Sequence, residues 1–125
     1  MVTATAADGT SVRAYDEGAG PLVLVLHGGM DDGSSWKRVA ARLSSRYRVV
    51  RLHRRQYRQD LVTGGQGCTM AEEVEHVRAL VEAIGEPAVV VGHSSGAVLA
   101  LESLVALPSA AVAVTIAEPF QPASK

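Results

Sequence analysis

Five consecutive apolar residues, Leu22-Val23-Leu24-Val25-Leu26, show no alternation of polar and apolar positions. A strand with one wet face alternates. A strand covered on both faces does not, and such strands sit inside parallel sheets flanked by helices. Tyr47 to Leu52, Ala88 to Val91 and Ala111 to Ala117 read the same way, so four interior strands are predicted. Segments with helical spacing lie between them. The first begins near Ser34 or Ser35, either of which is a candidate cap, and carries Trp36, Val39, Ala40 and Leu43 on one face. In the second, Thr69 and Glu72 form a capping box, Val74, Val77, Val81 and Ile84 share a face, and Gly85 supplies a left-handed C-terminal residue. The third runs from about Ser95 to Leu107 with Val98, Leu101, Leu104 and Val105 as its apolar positions, and Pro108 prevents its continuation. Two shorter strand-like runs, Val2 to Ala7 and Ser11 to Asp16, flank the turn signal Asp8-Gly9-Thr10. The order predicts an α/β fold: a doubly wound, mostly parallel sheet with right-handed crossovers and an N-terminal antiparallel hairpin.

At 125 residues the chain has the length of a single domain, 1–125, with Arg54 to Cys68 as an internal glycine-bearing loop rather than a linker. Twelve Lys plus Arg against 13 Asp plus Glu leave a net charge of -1, which gives no general attraction to nucleic acid or an anionic membrane. Aromatic residues are only 4%, so no stacking platform accompanies the run of arginines at 46, 48, 51, 54, 55 and 58. Those arginines are expected on a solvated strand edge and loop, with Asp60 and the acidic helix Glu72-Glu73-Glu75 as counter-charge. Cys68 stands alone, which excludes an internal disulfide and a multi-cysteine zinc site and predicts a reducing compartment, the cytoplasm. No apolar run is long enough to span a bilayer, and the N-terminus lacks the order of a signal peptide. No metal or cofactor is expected.

Gly92-His93-Ser94-Ser95-Gly96 matches G-x-S-x-G, a weak signal as a bare string. Its context strengthens it, because it directly follows the buried run Ala88 to Val91 and directly precedes a helix. A strand-to-helix turn this sharp strains the central residue and leaves no room for side chains two positions away. The expectation is therefore a tight hinge at Ser94, with Gly92 and Gly96 in strained angles of their own, lifting the Ser94 hydroxyl above the carboxyl ends of the strands. The N-terminus of the following helix favours a developing negative charge there, and the Ser95 backbone N–H is one candidate donor. The second is Gly29, in the small-residue loop His27-Gly28-Gly29-Met30 after the first buried strand.

Taken together, Leu22 to Trp36, Tyr47 to Arg58 and Ala88 to Leu107 resemble the N-terminal half of an α/β-hydrolase-fold protein. The resemblance covers essentially the whole chain as a truncated version of that fold. It implies acyl transfer to water through a serine ester, with Ser94 as nucleophile, Gly29 and Ser95 as oxyanion donors, and Gly92, His93 and Gly96 completing the elbow. Two departures stand against it. Many relatives follow the fourth strand with Asp-Arg-x-Gly-x-Gly, whereas this chain has His53-Arg54-Arg55-Gln56-Tyr57-Arg58, so that loop must take another shape. The family's catalytic histidine lies after the last strand, and no histidine follows His93.

His27 and His93 are read as structural, His53 as an outside candidate for a base, and His76 as a solvent-facing helix residue. Glu118, after the sixth strand, occupies a position from which some relatives take their acid. Cys68 lacks a partner base and is read as neutral.

The expected function is hydrolysis of small-molecule ester-type substrates by a serine nucleophile whose acid and base lie outside this chain. The alternative is a catalytically inactive half-fold acting as a binding or interaction module. The strand Ala111 to Ala117, as a sheet edge, is then a place for a second copy or a partner chain to pair.

Overall fold

The computed structural model describes residues 2–29, 31–61, 68–109 and 111–117, the last of these by backbone alone. Its strands are β1 (Val2–Thr5), β2 (Ser11–Glu17), β3 (Leu22–Leu26), β4 (Arg48–Leu52), β5 (Ala88–His93) and β6 (Ala111–Ala117). Its helices are α1 (Lys37–Leu43), α2 (Met70–Ile84) and α3 (Ser95–Ala106). The strands form one sheet in the order β1-β2-β4-β3-β5-β6. β3 pairs in parallel with β4 and β5, and β5 in parallel with β6. The β1–β2 hairpin is antiparallel and joins β4 antiparallel.

Every residue of β3 is buried, as its unbroken apolar run requires. Side chains alternate across a strand, so Leu22, Leu24 and Leu26 enter a core shared with Val77 and Leu80 of α2 and Leu99 and Ala100 of α3. Val23 and Val25 point the other way, onto Val49 and Ala40 of α1. The sheet is covered on both sides, and all three of its βα turns fall at one rim.

α2 begins with the expected capping box, Thr69 Oγ1 accepting from the Glu72 N–H and Glu72 accepting from the Thr69 N–H, and ends at Gly85 with φ 86°. The entry to α1 differs from expectation. Ser34–Trp36 form a 3-10 turn, and neither Ser34 nor Ser35 caps the helix. The serine hydroxyls donate instead to the carboxylates of Asp32 and Asp31, which also accept backbone N–H groups of the turn. Val39, expected on the inner face, is exposed.

The inner face of α3 also differs. It buries Gly96, Ala97, Leu99, Ala100 and Ser103, while Val98, Leu101 and Val105 are 51%, 46% and 81% exposed. The cause is the closeness of the helix to the sheet: a Cβ on Gly96 would lie 2.2 Å from the Leu26 carbonyl oxygen. No side chain fits at that closest approach, while further along the helix Leu99 and the partly buried Leu104 reach the core shared with α2.

His76 is fully buried rather than solvent-facing, because α2 packs it beneath the β1–β2 turn, where its Nε2 lies 2.9 Å from Thr10 Oγ1. The arginine run is likewise mostly interior. Arg51, Arg54 and Arg58 are buried, and Arg55 pairs with Asp8 and Glu72. Each buried guanidinium has a carboxylate partner, Glu17 for Arg51, Glu73 for Arg54 and Asp60 for Arg58, which is what permits its desolvation. Among the described residues no helix is long and apolar enough to cross a membrane.

Candidate active site

Ser94 stands between the last residue of β5 and the first of α3 with φ 55° and ψ -121°. Among the described residues it is the only non-glycine with positive φ. Such a conformation costs on the order of 1–3 kcal/mol and persists only where the surroundings impose it. Here β5 must reverse directly into a helix, and the two flanking glycines allow it by leaving room. A Cβ on Gly92 would lie 2.4 Å from the Gly96 carbonyl oxygen, and one on Gly96 would lie 2.5 Å from that of His27. Neither glycine has positive φ, contrary to the expectation of strain at all three positions. The strain resides in Ser94, and the glycines are demanded by crowding. The Ser94 side chain is half-buried, and its hydroxyl has no hydrogen-bond partner among the described residues.

The loop after β3 lies against this elbow. A Cβ on Gly28 would meet His93 Nδ1 at 2.8 Å and Ser94 Cβ at 3.3 Å, so main chain approaches the serine where a side chain would block it. Gly29 follows, with the Tyr57 hydroxyl 3.1 Å from its Cβ position. The topology thus brings Gly29 and Ser95 to the same rim as Ser94. The Ala97 N–H donates to the Ser94 carbonyl at 2.9 Å, whereas the Ser95 N–H, as the first of α3, has no carbonyl within the helix to donate to.

His27 is structural, as expected. It is fully buried, its Nε2 accepts from the Arg54 N–H at 3.0 Å, and its Nδ1 therefore carries the proton donated to the Gly28 carbonyl at 2.7 Å. Burial lowers its pKa, keeping the ring neutral. His93 packs edge-on to Trp36, with ring centroids 6.1 Å apart. His53 lies in the loop after β4 with Nε2 3.3 Å from the Tyr57 carbonyl oxygen, and burial lowers its pKa as well. No ring nitrogen of the four histidines hydrogen-bonds Ser94. Cys68 bonds Gln56, and burial pushes its thiol up to about 11, so it is a neutral side chain at pH 7. Glu118 and Met30 lie outside the described residues.

The loop His53-Arg54-Arg55-Gln56-Tyr57-Arg58 forms a 3-10 turn at Arg55–Tyr57, with the Arg58 side chain fully buried. Beside it opens a cleft of about 780 Å³ lined by Asp31, Asp32, His53, Tyr57 and Arg58 among others; Ser94 is not in its wall. Arg54 and Glu73, expected as a solvated arginine and part of its counter-charge, are instead a buried pair beside the elbow. Arg54 donates to both Glu73 carboxylate oxygens at 2.9 and 2.8 Å, to the His27 carbonyl at 2.9 Å and to Ser95 Oγ at 2.8 Å. The one available signal was an arginine two residues past a buried strand, with acidic residues in the first turn of the next helix. Only the folded arrangement shows that the two meet.

Comparison with known proteins identifies the family. The sequence profile described as the alpha/beta hydrolase family matches residues 22–124, and the chain belongs to that family. It is 32% identical over 102 residues to the uncharacterized hydrolase YraK of Bacillus subtilis, covering 80% of this chain and 38% of that protein. It is 35% identical over 101 residues to a pimeloyl-[acyl-carrier protein] methyl ester esterase of Methylococcus capsulatus, covering 79% of this chain and 37% of the esterase. An alpha/beta hydrolase from Sphaerobacter thermophilus superposes with a TM-score of 0.79 at 26% identity, over 92% of this chain and 44% of that one. The chain therefore spans about two-fifths of the length of each of these three relatives.

Proposed function

We propose that this chain carries the nucleophile half of a serine-dependent hydrolase acting on ester-type substrates. The observation that carries the reading is the strained backbone of Ser94 at a strand-to-helix elbow, with the main chain of Gly28 alongside. In the proposed reaction the Ser94 oxygen adds to the ester carbonyl carbon and its proton passes to a base. The carbonyl oxygen takes up negative charge facing the N–H groups of Gly29 and Ser95. Collapse expels the alcohol, which leaves with a proton, and water then hydrolyses the acyl-serine. In this reading the base and its acid partner come from other chain segments or from a second chain. Glu118 is retained as a candidate acid. Similarity to an esterase of stated ester chemistry supports the substrate class.

The test is covalent labelling with a fluorophosphonate, together with hydrolysis of p-nitrophenyl acetate. A single adduct at Ser94, absent from Ser94→Ala, is the expected result, with slight ester turnover because a missing triad base costs several orders of magnitude in rate. Equal behaviour of the two proteins rejects the reading.

One observation favours the second reading, an interaction module. Val98, Leu101 and Val105 form an exposed apolar stripe on α3, beside β6 at the sheet edge. Binding of a partner by a chain with unreactive Ser94 would select it.

A further inference from the structure

We infer that Arg54 and Glu73 are positioning residues that set the two backbone donors beside Ser94, an inference that rests on reading Ser94 as the nucleophile. One guanidinium, that of Arg54, has all three of its nitrogens engaged. Its Nε and Nη2 are occupied by a bidentate bond to Glu73, a carboxylate held in the first turn of α2. A guanidinium is planar and rigid, so clamping one edge determines where the remaining nitrogen points. That nitrogen, Nη1, donates to the His27 carbonyl at 2.9 Å and to Ser95 Oγ at 2.8 Å. The first bond holds the start of the Gly28-Gly29 loop. The second holds the residue whose own N–H is the other candidate donor. One side chain thus ties the loop after β3 to the start of α3, and α2 braces it.

The same residue acts through its backbone. The Arg54 N–H donates to His27 Nε2, which leaves the ring proton on Nδ1, and Nδ1 donates to the Gly28 carbonyl. That carbonyl and the Gly29 N–H belong to one planar trans peptide and point in opposite directions. Holding the carbonyl toward His27 therefore turns the Gly29 N–H away from it. The orientation of one donor and the placement of the other both depend on Arg54, although Arg54 itself touches neither Ser94 nor, in the proposed reaction, the substrate. Burial makes the dependence steep: Arg54 and Glu73 have side chains only 3% and 6% exposed, so water does not substitute for a lost partner.

The discriminating variants are Arg54→Lys, which keeps the charge but presents a single point of attachment, and Glu73→Gln, which keeps the shape of the brace. Two readouts are used on each: the fluorophosphonate labelling rate of Ser94, and the amide resonances of Gly29 and Ser95 in a 15N-labelled chain. Circular dichroism checks that the variant remains folded. The expected outcome for folded Arg54→Lys is labelling slowed at least about tenfold, with both amide resonances displaced. A merely structural ion pair would survive the Lys substitution with wild-type labelling and unmoved amides, and that result overturns the inference. Should Arg54→Lys fail to fold, Glu73→Gln decides by the same two criteria. If the unmodified chain itself is not labelled, the hydrolase reading fails on that ground alone. The positioning role is then judged by the amides: displaced resonances uphold it, unmoved ones reject it.

Discussion

At the residue scale, the molecule concentrates its strain in one serine and its crowding in two glycines. Ser94→Gly should relieve the φ 55° penalty and raise stability by about 1 kcal/mol, since strain of ~1–3 kcal/mol outweighs the added freedom of glycine in the unfolded chain. Ser94→Ala keeps the strained angles and should change stability little, so the difference between the two urea midpoints measures the strain directly. Gly96→Ala is expected to cost about 3 kcal/mol or abolish folding, because the new Cβ meets backbone oxygens of Leu26 and His27, which cannot rotate away. These demands were legible as a motif in context. The Arg54 contacts were not, because the sequence separates Arg54 from Ser95 by 41 positions and nothing local predicts their meeting.

At the element scale, α2 and α3 show where periodicity succeeds and where it misleads. The start of α2 is written locally in Thr69 and Glu72, and Thr69→Ala should cost about 1 kcal/mol by thermal or urea unfolding. The inner face of α3 is not written locally. Hydrophobicity points to Val98, Leu101, Leu104 and Val105, of which Leu104 packs against the core, but the tight approach of Gly96 to β3 centres the inner face on Gly96, Leu99, Ala100 and Ser103 and turns the other three outward. Replacing Val98 and Leu101 together with Gln should therefore change stability by no more than about 0.5 kcal/mol each, against several kcal/mol for Leu99→Ala in the core. His76 was misassigned for a related reason. A helix placed under a turn buries a polar residue when the turn supplies a partner, here Thr10.

At the scale of the whole molecule, three histidines, His27, His53 and His76, have pKa values lowered first of all by burial. Their folded values lie below the unfolded value near 6.5, so the unfolded chain binds more protons as pH falls. Stability is full above about pH 6.5 and is lost below it, by at most about 1.4 kcal/mol per pH unit for each histidine, with half-exposed His53 adding less. Urea midpoints at pH 7.5 and 5.5 should show the fall, and His76→Gln should flatten it. β6 ends the described sheet, and pairing of a second copy along it belongs to the interaction-module proposal; light scattering showing a monomer at high concentration would count against edge pairing. By itself the sequence determined the strand runs, the α2 cap and the elbow, because each rests on contacts or steric demands within a few residues. Which face of α3 turns inward, why the arginines are buried, and which residues brace the elbow were decided only by the tertiary structure, since those depend on distances between segments far apart along the chain.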